Sequence, residues 1–247
     1  MLEELDSERE WFFDESSQIL LYKPNTTAEG SIDPASGLPT GNFVGCTGVK
    51  ILFNISGTKL EPVHNITVQG LTIRDTAYTY LDAHGLPSGG DWGLQKQGAI
   101  TLVGTQSVTI ADCLLTRLDG NAIFLGGFNR NTSIVRNEFS FIGDSAMASW
   151  GDTSSRLNEN GTLHVPGGFK VGPDGRSGEQ PLGTVVRANI CHSIGLWEKQ
   201  SSMWFQAVTA LTQLQDNIFY TGPRAALNFN VSICTVASLR SAEANFL

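Results

Sequence analysis

A six-residue pattern recurs along the chain, with an apolar residue at its first and sixth positions and a small or turn-forming residue between them. The starts of successive copies are 42, 24, 52 and 28 residues apart. The shorter spacings are typical of one coil of a β-solenoid, so each longer gap is either a coil with an insertion or two coils of which one is hidden. The copies begin at Val68, Ile110, Ile134, Val186 and Leu214.

A second pattern follows three of these copies at a constant offset, beginning at Gly120, Asp144 and Arg224. Each coil is therefore predicted to hold two short strands separated by a bend that contains glycine, with apolar residues facing inward and polar residues outward. Such units cannot bury a face alone and must stack on their neighbours. The sequence thus predicts an all-β fold, a parallel β-solenoid with almost no room for helices.

The fourth position of the first pattern is asparagine in three copies, at Asn137, Asn189 and Asn217. Asparagines stacked in the same turn of successive coils can hydrogen-bond along the stack and satisfy buried amides at each level. We therefore expect an asparagine ladder in this turn.

The segment before the repeats has the pattern of a β-hairpin, with strands at residues 11–14 and 19–22. We divide the chain into this hairpin segment (1–24), a β-helix domain (25–230) and an atypical tail (231–247). Two insertions rich in Gly, Pro and Asp interrupt the coils, at roughly residues 82–98 and 151–182. Insertions of this length inside a domain are usually functional or disordered.

These features resemble the right-handed parallel β-helix proteins of the pectate-lyase-like superfamily, over about residues 8–230. Residues 118–122, 194–202 and 222–230 further resemble a largely uncharacterised group of right-handed β-helix domain proteins. The resemblance implies a right-handed single-stranded β-helix and action on polysaccharides, as a lyase or a glycoside hydrolase, in a groove along one face. Members of that group continue for further coils after the Asn-Phe-Asn sequence at 228–230, so we expect a truncated C-terminal end.

The charge of the chain narrows its range of partners. The 247 residues include 24 acidic and 16 basic side chains, for a net charge of −8. This surface would repel a phosphate backbone or an anionic membrane, so nucleic-acid binding is disfavoured. The sequence also predicts no membrane span, since no run approaches 18 apolar residues. We expect a monomer if the end of the helix is capped.

Asparagine usage bears on localisation. Six of the 15 asparagines open an Asn-x-Ser/Thr sequon, whereas composition alone would give roughly two to three. The excess is typical of a glycosylated extracellular or secretory protein, although asparagine and threonine also share turns in β-rich folds. The N terminus lacks a signal-peptide pattern. The sequons begin at Asn25, Asn54, Asn65, Asn131, Asn160 and Asn230.

Several carboxyl groups fall where a groove would run. Glycoside hydrolysis requires two carboxyl groups facing the substrate, and outward acids on neighbouring coils, about 4.8 Å apart, meet this requirement. Asp119 and Asp144 form the simplest such pair, although each could merely form a bend before a strand. Glu198 and Lys199 interrupt another coil, where Glu198 could act as a general acid and Lys199 or Arg224 could hold or deprotonate a uronate.

The first insertion and two strand residues complete the predicted site. His84, Asp91 and Trp92 stand on a loop that could fold over the same face. Trp204 and Gln206 follow the Glu198 segment, and tryptophan faces stack on sugar rings, although core packing is the competing interpretation. Calcium would need three or more clustered oxygen ligands, which the sequence does not show, so we expect no cofactor and no metal.

These observations lead to one functional hypothesis and two alternatives. The hypothesis is a carbohydrate-active β-helix protein that binds and cleaves a polysaccharide, as a hydrolase or a lyase. The alternatives are a non-catalytic glycan-binding or structural surface protein, and an inactive truncated form of a longer β-helix protein.

Overall fold

The structure is a computed structural model that describes residues 5–14, 16–25, 31–34, 40, 48–85, 93–152, 178–230 and 237–240. The chain divides into two compact units, Met1–Cys46 and Thr47–Leu247. In the first unit, β1 (Trp11–Asp14) and β2 (Ile19–Tyr22) pair in antiparallel fashion, which confirms the predicted hairpin.

The second unit consists of three sheets of parallel strands, and its described residues include no helix. Sheet 1 contains β3 (Phe53–Ser56), β4 (Val63–His64), β7 (Gly98–Gln106), β10 (Asn121–Arg130), β13 (Met147–Trp150), β14 (Pro181–Leu182), β17 (Trp204–Ala207) and β20 (Leu227–Asn230). Sheet 2 contains β5 (Thr67–Gln69), β8 (Thr109–Ala111), β11 (Ser133–Val135), β15 (Val185–Arg187), β18 (Thr212–Gln215) and β21 (Ala237–Arg240). Sheet 3 contains β6 (Thr72–Arg74), β9 (Leu114–Leu118), β12 (Glu138–Ile142), β16 (Ile190–Ile194) and β19 (Ile218–Tyr220).

The chain passes repeatedly through sheets 2, 3 and 1, which is the winding of a parallel β-solenoid. A full coil holds three strands, so the prediction of two was wrong. The first sequence pattern spans the sheet 2 and sheet 3 strands with the turn between them, and the second pattern forms the sheet 1 strand.

The strand register confirms the alignment of the repeats. The first positions of all five copies are neighbours across sheet 2. The sixth positions, from Ile73 to Phe219, are neighbours across sheet 3. Because β8 pairs directly with β5, and β15 with β11, both long gaps are single coils with insertions. The insertions lie between β6 and β7 and between β13 and β14.

The core lies between the three sheets, where Ile123, Ile134 and Phe139 are each 0% exposed. The outer face of sheet 1 is also buried along β10, β13 and β17, where a second apolar cluster comprises Leu94, Phe124, Ala148, Trp150, Phe205, Ala207 and Val208. A parallel sheet buried on both faces carries near-continuous apolar sequence, as the fully buried strand β13 shows.

The asparagine ladder is confirmed in the turn between sheets 2 and 3. Asn137 Nδ2 donates to Asn189 Oδ1 at 3.1 Å, and Asn189 Nδ2 donates to Asn217 Oδ1 at 3.0 Å. The same oxygens accept the backbone N–H groups of Asn137 and Asn189. Each side chain therefore satisfies both its own amide and the main chain of the coil before it.

The strand pairing continues past residue 230, where the sequence patterns indicated none. Strand β21 pairs with β18 in parallel, and Leu239 lies opposite Leu214, the first position of the last copy of the first sequence pattern. The segment predicted as an atypical tail therefore adds one strand to sheet 2.

Candidate functional site

The turns that join sheet 3 to sheet 1 in successive coils form the surface where most predicted site residues lie. We call it the corner surface; its described residues are 75–85, 93–97, 119–120, 143–146, 195–203 and 221–226. Close packing between coils requires glycine at Gly143, because a Cβ atom there would lie 2.5 Å from Trp197 Cδ1 and 2.7 Å from Asp119 O. The turn at residues 195–203 therefore packs directly against the preceding coil.

An exposed run of aromatic rings crosses the corner surface. Trp197 is 53% exposed, and its indole Nε1 donates to Asp119 Oδ1 at 3.0 Å. The Tyr80 ring stacks on Trp197 with centroids 6.0 Å apart and an interplanar angle of 29°, and the Tyr78 ring lies 5.8 Å beyond it. Both tyrosines are exposed by 40% or more. Exposed rings fixed by packing and a hydrogen bond provide a rigid surface on which a sugar ring can stack.

The turn that carries Glu198 is held by main-chain bonds and by its own lysine. The N–H groups of Trp197 and Glu198 both donate to Gly143 O, at 2.9 and 3.0 Å. Lys199 Nζ donates to the carbonyls of Gly195 and Leu196, at 2.8 and 2.9 Å. Lys199 therefore stabilises the turn, while the half-buried Glu198 carboxylate accepts a hydrogen bond from the Gln200 N–H at 2.9 Å.

Asp144 lies beneath this turn and is 1% exposed. Its Oδ1 accepts hydrogen bonds from Ser201 Oγ and from the Ser145 N–H, each at 3.0 Å, whereas its Oδ2 is buried without a hydrogen-bond partner. The pKa of Asp144 is raised to about 6, chiefly by burial and to a smaller extent by the Glu198 charge, while the Ser201 hydrogen bond and His84 oppose the rise. Asp144 is therefore a carboxyl group that holds its proton up to about pH 6, next to a second carboxylate.

His84 completes the group from the first insertion. Its Nδ1 donates to Asp82 O at 2.8 Å, and its Nε2 is buried without a hydrogen-bond partner. Because His84 lowers the pKa of Asp144 electrostatically, the first insertion and the turn at residues 195–203 act on the same carboxyl group.

Comparison with known proteins adds a likeness of fold. No family model and no curated protein sequence matches this chain. A solved structure titled "Glycoside hydrolase" superposes with a TM-score of 0.61 at 14% identity, over 90% of this chain and 39% of the other. The chain thus spans well under half of that protein's length, and the match extends over nearly the whole of this chain.

The structure brings together five of the predicted residues, whereas two others are buried in the core. Trp204 and Gln206 are each 0% exposed, and Trp204 Nε1 donates to Gln206 Oε1 inside the solenoid. They present no surface to a ligand, and we exclude them from the site. The five that meet at the corner surface are His84, Asp119, Asp144, Glu198 and Lys199.

Of the other predicted residues, Arg224 is exposed in the corresponding turn of the next coil, and it has an interaction partner of its own. Asp91 and Trp92 lie outside the described residues. Across the described ranges, no group of three or more His, Cys, Asp or Glu side chains is arranged to hold a metal ion. The same ranges contain no helix long and apolar enough to span a membrane.

Sequence reasoning missed Tyr78, Tyr80 and Ser201. A signal for Tyr78 was present, because it follows the sixth position Ile73 by five residues, as Asp144 follows Phe139. For Ser201 no such signal existed, since its hydrogen bond to Asp144 depends on how the turn at residues 195–203 folds back.

Proposed function

We propose that the corner surface binds a polysaccharide and that its carboxyl groups cleave a glycosidic bond. The observation that carries this proposal is the exposed Tyr80–Trp197 stack, joined by a hydrogen bond to Asp119 and followed in the chain by Glu198. Aromatic faces supply stacking surface for sugar rings, and adjacent carboxyl groups supply the acid and base of glycoside hydrolysis.

The proposed chemistry divides the roles between two carboxyl groups. Asp144, with its pKa raised to about 6, donates a proton to the oxygen of the breaking bond. The Glu198 carboxylate takes a proton from the water molecule that attacks the sugar carbon, so the bond to the water oxygen forms as the glycosidic bond breaks. The turn at residues 198–201 covers Asp144, so cleavage requires this turn to open. Hydrolysis is favoured over a lyase reaction because Lys199, a candidate lyase base, already donates to two carbonyls.

Glycan binding without cleavage is the second candidate function. The observation that favours it is the burial of Asp144, whose 1% exposure leaves no carboxyl oxygen facing solvent. In this case the aromatic rings bind the glycan, and Asp144 serves only to hold Ser201 and the turn.

One experiment separates these functions. The chain is screened against immobilised polysaccharides for binding and, in parallel, for release of reducing ends. We expect Trp197→Ala to weaken binding about tenfold, which corresponds to a loss of stacking of roughly 1.4 kcal/mol. Trp11→Ala, which removes a 61% exposed tryptophan from the hairpin, is the matched control. Reducing-end release that is lost in Glu198→Gln and Asp144→Asn supports cleavage.

One outcome of this experiment would favour the second function, and two would contradict the proposed site. Binding without any turnover supports the second function. Binding that survives Trp197→Ala, or turnover unchanged in both carboxyl variants, removes the corner surface as the site.

Three finer features belong to the same proposal. We propose right-handed winding and membership of the pectate-lyase-like superfamily, supported by the repeats and by the glycoside hydrolase neighbour. We propose an extracellular or secretory location, supported by the exposure of the sequon residues Asn54, Asn65 and Asn131. The monomeric state and the absence of a cofactor remain predictions from the sequence.

A further inference from the structure

We propose, on the basis of the function proposed above, that the corner surface selects an uncharged glycan chain and rejects acidic polysaccharides. The aromatic run Tyr78–Tyr80–Trp197 stacks on sugars without regard to charge. Selection between glycans therefore depends on the charged groups beside it.

Carboxyl groups occupy three successive coils at this surface. Asp119 follows β9, Asp144 follows β12 and Glu198 follows β16. Coils in a parallel solenoid are about 4.8 Å apart, so a glycan lying across the rings passes all three within a distance at which charges act. Asp119 is fixed beside the rings by its bond to the Trp197 indole. At pH 7 the surface is therefore negative where the glycan lies.

The neighbouring cations are already used to neutralise or hold the protein itself. Lys199 Nζ donates to the carbonyls of Gly195 and Leu196. Lys50 Nζ bridges both oxygens of Asp82, at 2.8 and 2.7 Å. Arg224, one coil further on, has an interaction partner of its own. A uronate arriving at the rings would have to compete with Asp82 for Lys50 and with the two carbonyls for Lys199, whereas a neutral sugar needs no cation.

The test compares polymers that share a backbone and differ chiefly in whether their substituents carry a charge. The pairs are polygalacturonate with its full methyl ester, and carboxymethyl cellulose with hydroxyethyl cellulose, supplemented by oxidised and native forms of any glycan that binds in the screen. At pH 7 and low salt we expect the whole chain to bind the uncharged polymer of each pair at least about tenfold more tightly than the charged one. We call this ratio of affinities the gap. It should be smaller at high salt, where charge repulsion is screened.

Variants then place the selectivity at the corner. Asp119→Asn and Glu198→Gln are each expected to tighten the binding of the charged polymer. The gap should therefore fall several-fold in each variant. Asp112→Asn makes the same change of charge at the turn between sheets 2 and 3, where Asp112 is paired with Arg136. It is the matched control and is expected to leave the gap unchanged.

Failure of this inference is distinguishable from failure of the proposed function. Equal or tighter binding of the charged members by the native chain would overturn the selectivity and leave the glycan-binding function standing. A gap that Asp112→Asn narrows as much as Glu198→Gln would also overturn it, because net charge rather than the corner would then be selective. Absence of binding to every polymer would overturn the proposed function, and the selectivity with it.

Discussion

At the scale of the residue, Asp144 is a carboxyl group buried where water cannot solvate its charge. Its pKa is raised from 3.8 to about 6, so its ionisation destabilises the fold as the pH rises through this window. The difference corresponds to about 3 kcal/mol. Asp144→Asn keeps an acceptor for Ser201 and Ser145, and we expect it to raise the free energy of unfolding at pH 8 by about this amount, with little change at pH 4. Urea denaturation across pH 4–8 measures this.

Asp112 is the control for this prediction, because its charge stabilises the fold, whereas the charge of Asp144 destabilises it. Hydrogen bonds from Arg136 and then Gln69 lower the pKa of the exposed Asp112, so its contribution to stability is present above its usual pKa and is lost as the pH falls below it. Asp112→Asn is expected to give a small loss of stability at pH 8. A loss of stability at pH 8 in Asp144→Asn would show that its charge is stabilised in the fold.

Gly143 links the main chain to the exposed rings. A Cβ atom there would clash with Trp197 Cδ1 and with the carbonyl of Asp119, and the carbonyl belongs to a neighbouring coil that cannot yield as a side chain can. We expect Gly143→Ala to reduce the free energy of unfolding by about 1–3 kcal/mol and to weaken glycan binding together with it. Both are measured on the same sample, by urea denaturation and by affinity electrophoresis.

Gly48→Ala is the matched change for comparison, because a Cβ atom at Gly48 meets nothing within 4 Å. It is expected to leave stability and binding unaltered. If Gly143→Ala behaved like Gly48→Ala, the seating of the turn on Gly143 would not position Trp197.

At the scale of the element, the asparagine ladder supplies hydrogen bonds that the turn between sheets 2 and 3 would otherwise lack. Asn189 is 0% exposed; it donates to Ile134 O and Asn217 Oδ1 and accepts from Asn137. Asn189→Ala leaves several buried groups unpaired, and we expect a loss of about 3 kcal/mol or more in urea denaturation. Asn217→Ala, in a half-buried position at the described end of the ladder, should cost less. Equal costs would mean that burial does not set the energy of the ladder.

The elements were predictable where the sequence repeats, and the site was predictable only in part. Apolar residues such as Val186 recur because each coil presents the same backbone position to the core, so spacing reveals them. Trp197 instead reaches Asp119 across two coils, and no local spacing encodes that reach. Trp204 was misassigned because the turn at residues 195–203 obscures the register that aligns it with the buried Met147.

At the scale of the whole molecule, the second unit is a stack in which each coil contacts chiefly its neighbours through parallel pairing. Because the coils are stacked, residues that are distant in sequence lie side by side at the corner surface. The corner surface draws on the coils of β6, β9, β12 and β16, so its rings and carboxyl groups form a site only once four coils are assembled. Binding should therefore be lost together with the fold, and not before it.

Stability in a stack of this kind is the sum of coil stabilities and nearest-neighbour contacts, so it should vary along the stack. Strands such as β12 have neighbours on both sides, whereas β3 and β21 each pair on one side only among the described strands. We expect amide hydrogen exchange to show the strongest protection in β9–β13, falling towards both ends. Phe139→Ala, at a 0% exposed position of β12, should lower protection in the central strands by the equivalent of about 3–5 kcal/mol. Uniform protection from β3 to β21 would instead show that the coils open together as one cooperative unit.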